Sequence, residues 1–154
     1  MQLVRIANSA HIDQINGEGA RINGGRWNKI GDAVVYLAED ISLAILETVV
    51  HANPRRKLDR SLLVLSAPDD SSIETIVDLP EGWENYPYPD ETAEIGSRWI
   101  VACRTLLLRV PSAITSGVNQ DLWQYNVLMN PNHPEFANVK IERIQPWRPD
   151  SRLL

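Results

Sequence analysis

A single compact α+β domain, with short mixed strands and two main helices, is the fold class this sequence predicts, and three observations predict it. Apolar runs of strand length recur along the chain, such as Ala33-Val34-Val35-Tyr36-Leu37-Ala38 and Ser61-Leu62-Leu63-Val64-Leu65. Two longer stretches, residues 41–52 and 91–104, carry apolar residues at helical spacing instead. The 154 residues are 44% hydrophobic and hold no repeat and no low-complexity linker, so one core can form over residues 1–154.

The elements follow in order. Residues 2–6 alternate as a first strand. Residues 16–31 (NGEGARINGGRWNKIG) hold five of the eight glycines and read as a long loop, whose backbone enters special conformations or approaches something closely. The apolar strand 33–38 comes next. Asp40 is a helix N-cap for residues 41–52, a helix that Pro54 stops. Residues 61–65 form another strand. The acidic segment 66–90, with Pro68, Pro80, Pro87 and Pro89, reads as an irregular surface excursion. A second helix runs from Glu91 to about Arg104, capped by Asp90, and a strand from Leu106 to Val110 ends at Pro111-Ser112. Residues 115–135 read as loop, with turn signals at Asn130-Pro131 and His133-Pro134, and Val139–Ile144 is the last strand.

Composition narrows the function classes. A net charge of −5 argues against direct nucleic-acid binding, which needs surplus Lys and Arg. The one cysteine, Cys103, rules out an internal disulfide or a Cys-rich zinc site, and its apolar neighbours make it a small core residue. The N-terminus lacks a signal-peptide pattern and no apolar run approaches the roughly 20 residues of a membrane helix, so the expected compartment is the cytoplasm. His11, His51 and His133 match no metal-ligand spacing, and no metal is expected.

Glu47 is the strongest local anomaly. Its helical neighbours at three and four residues are Leu43, Ala44, Val50 and His51, a largely apolar face. A carboxylate there is either paired with an arginine such as Arg5 or Arg26, or functional. His51, one turn on, is placed to hydrogen-bond to it. Arg26 follows Gly24-Gly25 and precedes Trp27-Asn28; it reads equally as a turn arginine or as a binder of phosphate or carboxylate, for which its planar fork is suited. Tyr36 is a core aromatic or a wall for a flat ring. Ser112 has no nucleophile elbow around it and reads as a ligand-orienting hydroxyl or a turn serine.

These residues stand in a pattern that resembles the RES-domain family: Gly24-Gly25-Arg26-Trp27-Asn28, Gly31, Val34-Val35-Tyr36-Leu37-Ala38 and Leu46-Glu47; Leu108-Arg109-Val110-Pro111-Ser112-Ala113; and Asn126, Leu128, Asn130-Pro131, His133-Pro134. The resemblance runs from the first strand to Asp150-Ser151-Arg152-Leu153. It implies a fold like that of ADP-ribosyltransferase toxins. The family's Arg, Glu and Ser fall on Arg26, Glu47 and Ser112, with Tyr36 beside them and Arg21 as a competing arginine. The chain departs from the family pattern by an extra residue near Gly24-Gly25 and a longer stretch, 115–125, to which no role is assigned.

The resemblance further implies the toxin of a toxin–antitoxin pair that degrades NAD by cleaving its nicotinamide–ribose bond, by hydrolysis or phosphorolysis. NAD is then substrate, with no bound cofactor, and the partner is an Xre-type helix-turn-helix antitoxin in a hetero-oligomer. Glu47 would stabilise the positive charge growing on the ribose, and Arg26 would clamp the pyrophosphate. Tyr36 would wall the nicotinamide and Ser112 orient it, with Trp27, Asn28 and Asn126 as further substrate contacts. Two alternatives stand beside this: a protein ADP-ribosyltransferase using the same site, and a non-catalytic antitoxin-binding module, for which 66–90 is a candidate surface.

Overall fold

The computed structural model describes residues 1–52 and 59–153. Among them, seven strands form one mixed sheet: β1 (Gln2–Asn8), β2 (Val35–Ala38), β3 (Arg60–Ser66), β4 (Ile73–Thr75), β5 (Leu107–Pro111), β6 (Tyr125–Met129) and β7 (Lys140–Trp147). Their spatial order is β4-β5-β6-β2-β1-β3-β7. Only the β4–β5 pairing is parallel. Three α-helices accompany the sheet: α1 (Glu18–Asn23), α2 (Ile41–Val50) and α3 (Asp90–Ala102). None is long and apolar enough to cross a membrane.

The central strands β2, β5 and β6 are covered on both faces of the sheet, which is why they are rich in buried apolar residues, whereas the edge strand β7 is exposed. Val35 and Leu37 join a core with Leu3, Leu63, Leu65, Val127 and Met129 on one face. Tyr36 and Ala38, one residue out of phase, meet the other face. On that second face α2 lays Leu43 and Ala44 over Val4 and Ala38, while α3 and the glycine-rich loop enclose Trp27, Trp83, Trp99 and Leu128. The sheet has a seam. β1 and β3 are in register over seven pairs, Gln2↔Ser66 to Asn8↔Arg60, whereas β1 and β2 share only Val4↔Ala38. Beyond that pair the two strands are not laddered, and the gap lies next to α2.

Several expectations are corrected. The glycine-rich segment is not all loop: residues 18–23 form α1, initiated by the Asn16 carboxamide accepting from the Glu18 N–H at 3.1 Å and braced by the Glu18–Arg21 pair. α1 is short because Gly17 and Gly24 flank it. Residues 115–135 contain β6, a central strand with Val127, Leu128 and Met129 buried. The excursion 66–90 contributes β4. The last strand extends to Trp147 through Pro146, tolerated because β7 is a sheet edge.

Asp40 caps α2 as expected, accepting from Leu43 N at 2.9 Å. That helix ends at Val50; Pro54, to which its end is assigned above, lies outside the described residues. Asp90 is the first helical residue of α3 rather than its cap, since Pro89 holds the cap position without a side-chain bond. Cys103 is not a core residue: it is half-buried and ends α3 in the left-handed region, with φ 50°.

Candidate active site

The site is built on the second face, beside the seam. Glu47 sits midway along α2 and is half-buried, because Leu43 and Ala44 on its N-terminal side are buried whereas Val50 and His51 on its C-terminal side are exposed. It pairs with neither Arg5 nor Arg26 within salt-bridge distance, so the structural ion pair considered above is not formed. Three other groups hold it. The Ser112 hydroxyl donates to Oε1 at 2.8 Å, the Asn126 carboxamide donates to the same oxygen at 2.6 Å, and His51 Nε2 lies 3.6 Å from Oε2. These come from the end of β5, from β6 and from the next turn of α2, so the cluster exists only when sheet and helix are docked.

The electrostatics follow. Burial pushes the Glu47 carboxyl up, but donors from His51, Asn126 and Ser112 outweigh it and the net direction is down. Glu47 is therefore an ionised carboxylate at neutral pH. His51 is held above its ordinary value, first by its contact with Glu47. Ser112 is buried, and its oxygen also accepts from Ile114 N at 3.2 Å to cap a short turn. Its hydrogen goes to Glu47. In the free chain the serine thus orients the carboxylate.

Glu47 borders a cavity of about 300 Å³ at the β1–β2 seam. Val4, Arg5 and Ile6 of β1 line one side and Tyr36, Leu37 and Ala38 of β2 another, with Ala44, Thr48, His51, Arg60 and Asn126 completing it. Of the residues singled out from sequence, Glu47, Tyr36 and Asn126 line this space, and Ser112 stands behind Glu47. Arg26, Trp27 and Asn28 do not line it.

Trp27 and Asn28 build the framework instead. Trp27 is 3% exposed, with its ring centroid 6.3 Å from that of Trp83. Asn28 is 1% exposed and its amide nitrogen donates to the carbonyls of Ala20, Lys29 and Asp32, so it has nothing left for a ligand. The Tyr36 hydroxyl closes this knot, donating to Asn28 Oδ1 at 2.8 Å and accepting from Trp27 N at 3.1 Å. Burial raises its pKa, so it stays a phenol. Gly25 is required here, because a Cβ would lie 2.7 Å from that hydroxyl.

Arg26 is half-buried beside the knot. Its Nη1 donates to the carbonyls of Trp83 and Asn85, and its guanidinium lies 4.9 Å from the centre of the Tyr88 ring. Burial lowers its pKa, with Tyr88 and then Glu47 acting in the opposite sense. Arg26 therefore lies within electrostatic reach of Glu47, tethered to the 83–88 excursion. Arg21, the competing arginine, pairs with Glu18 on the surface. The stretch 115–125 acquires a role: the Trp123 ring packs 5.3 Å from Trp83, and Gln124 O accepts from Ser112 N at 2.9 Å, backing the serine.

Sequence reasoning missed the cavity cations Arg5 and Arg60 as site residues, and also Tyr88 and Trp83. An arginine inside the otherwise apolar β1 was the available signal for the first; Tyr88 and Trp83 had none, since they meet Arg26 across more than fifty residues. Among the described residues, no three His, Cys, Asp or Glu side chains converge as a metal-ligand set.

Comparison with known proteins agrees with this architecture. The chain is 38% identical to the "Prs ADP-ribosylating toxin" of Sphingobium sp. (strain YBL2), over 97% of this chain and 94% of that protein. It is 36% identical to "Toxin Res" of Yersinia enterocolitica, over 95% and 93% of the two chains. In fold it is similar to a chain of the M. tuberculosis MbcT–MbcA toxin–antitoxin complex, with a TM-score of 0.70 at 15% identity, covering 95% of this chain and 83% of the other. The family model described as "RES domain" matches residues 2–150, from the first strand into the tail, and the chain belongs to the RES-domain family.

Proposed function

We propose that this chain is the toxin of a toxin–antitoxin pair and an enzyme that consumes NAD by breaking the nicotinamide–ribose bond. One observation carries the reading: an ionised carboxylate, Glu47, held by Ser112 and Asn126 from one side, at the edge of a cavity. The nicotinamide of NAD is cationic and leaves as a neutral base, taking the electron pair of the C1′–N bond. The demand is therefore to stabilise the positive charge that grows on the ribose, as in glycoside cleavage. A fixed carboxylate in a partly desolvated site does this without reorganising during the reaction.

The cavity, at the lower end of the roughly 300–1,000 Å³ of small-molecule sites, suits part of a dinucleotide. Tyr36 supplies an aromatic wall for the nicotinamide and Asn126 steadies Glu47. Arg26, with guanidinium donors beyond those given to Trp83 and Asn85, faces the pyrophosphate. Water or phosphate then attacks C1′, its lost proton passing to solvent. The partner is proposed to be an Xre-type helix-turn-helix antitoxin, and the similarity in fold to a chain of a toxin–antitoxin complex supports an antitoxin of some kind.

A second reading keeps the site and changes the acceptor to a protein side chain. The printed name of the Sphingobium relative, an ADP-ribosylating toxin, favours it. The test is NAD consumption by the purified chain, with and without phosphate and with products resolved, beside Glu47→Gln. Free ADP-ribose marks hydrolysis, a phosphorylated ADP-ribose phosphorolysis, and label transferred from NAD to a protein marks the second reading. Undiminished NAD loss in Glu47→Gln removes Glu47 from the mechanism.

A further inference from the structure

Arg5 is a cation lining the seam cavity, with no carboxylate paired to it among the described residues. Five other cations, Arg21, Lys29, Arg104, Arg109 and Arg152, each have a carboxylate oxygen within 3.6 Å. Arg26 has two carbonyls. Arg5 forms no salt bridge and donates no side-chain hydrogen bond to any described residue, although its guanidinium is desolvated enough for burial alone to push its pKa down. The cavity's own carboxylate does not neutralise it, because Glu47 is engaged by Ser112, Asn126 and His51. A partly desolvated cation at a cavity wall is stabilised by an anion that enters beside it. The backbone of Arg5 is anchored in β1, in register with Leu63 of β3, and its side chain lines the cavity. On the β2 side, the seam leaves the strand without a laddered neighbour beyond Val4↔Ala38.

We infer that Arg5 is a phosphate-binding residue of this cavity, taking a phosphoryl group at the seam between β1 and β2. A guanidinium suits that ligand, since its planar fork donates two parallel hydrogen bonds to phosphate oxygens. Arg60, lining the same cavity, adds positive charge. The inference deepens the reading above and rests on its cavity. The phosphoryl group has two sources there, the pyrophosphate of the dinucleotide or inorganic phosphate serving as the acceptor.

Calorimetric titration of the purified chain with inorganic pyrophosphate, inorganic phosphate and ADP-ribose tests this, using wild type, Arg5→Met and Arg5→Lys. Arg5→Met is expected to weaken at least one of these ligands tenfold or more, and Arg5→Lys to weaken it less. The ligand-free Arg5→Met chain is expected to melt no lower than wild type, because an uncompensated cation has gone. Loss confined to pyrophosphate and ADP-ribose assigns the dinucleotide; loss confined to inorganic phosphate assigns the acceptor. Unchanged affinities, a lowered melting temperature with unchanged affinities, or no binding of any of the three by wild type overturns the inference. Should Arg5→Met not fold, unchanged affinities in Arg5→Lys overturn it equally. Arg5-dependent pyrophosphate binding by a chain that consumes no NAD would keep this site while sinking the NAD reading.

Discussion

The two sides of the site are held by opposite physics. Around Glu47 the structure is polar: one half-buried carboxylate, three donors from three places and an open cavity beside it. Around Arg26 it is packing: Trp27, Trp83 and Trp99 in one buried cluster, with α3 pressed so closely onto the loop that a Cβ on Gly96 would lie 1.7 Å from the Trp27 carbonyl oxygen. A polar cluster tolerates isosteric change without unfolding, whereas a close-packed contact does not accept added volume without strain. The first side is therefore where substitution touches chemistry, and the second where it touches the fold.

The sharpest way to break that comparison is Glu47→Gln. The amide keeps the size and one accepting oxygen for Ser112 or Asn126, so stability should change by less than about 1 kcal/mol. The catalytic rate should fall about 10³-fold, or ~4 kcal/mol, in line with removal of one preorganised electrostatic group. NAD-consumption kinetics and a denaturant melt on the same preparation check both halves. A large stability loss would mean that Glu47 belongs to the framework after all.

Gly96→Ala probes the opposite side. The added methyl has to displace backbone, not a flexible side-chain tip, so α3 must shift away from Trp27. A loss of about 3 kcal/mol is expected, at the upper end of overpacking costs, with activity per folded molecule much less affected. Equilibrium unfolding reads it directly. Tyr36→Phe comes next. It strips the knot of the hydroxyl that joins Asn28 Oδ1 to Trp27 N and leaves both without that partner, for about 1–3 kcal/mol. Because the ring survives, nicotinamide packing should survive with it. A rate loss exceeding the loss of folded protein would give the hydroxyl a chemical part.

The same contrast explains what was legible in the sequence. Strands buried on both faces announce themselves as apolar runs, so 33–38 and 61–65 were plain, as was an acidic residue on the apolar face of a helix that Asp40 caps. Ser112 stands out after a strand-ending Pro111 as a ligand-orienting or turn hydroxyl, Asn126 comes from family resemblance, and the structure brings both to Glu47. β6 escaped because it opens with Tyr125-Asn126 and is followed at once by Asn130-Pro131, so turn signals masked a central strand. α1 escaped because a helix of six residues flanked by Gly17 and Gly24 has no apolar period to show. The partners of Arg26 were beyond reach for a different reason: they are backbone carbonyls of Trp83 and Asn85, and a carbonyl has no residue signature.

The smallest effect, and the one that most finely separates the two sides, belongs to His51. Its pKa is raised above the ordinary 6.5 by Glu47, whose own pKa is lowered below the ordinary 4.5 by its donors, burial opposing. A raised histidine contributes stability that is fully present below about pH 6.5 and is lost as pH rises through the folded value. A depressed carboxylate contributes stability present above about pH 4.5 and lost as pH falls through its folded value. Both members are therefore charged between about pH 4.5 and 6.5, and the pair acts there. His51 is 73% exposed, so solvent screens it and the contribution is well under about 1 kcal/mol. The melting temperature of wild type should exceed that of His51→Ala by a small margin near pH 5.5, and the margin should close by pH 9. An equal margin at both values would mean that the imidazole packs against α2 without responding to Glu47, leaving the carboxylate to Ser112 and Asn126 alone.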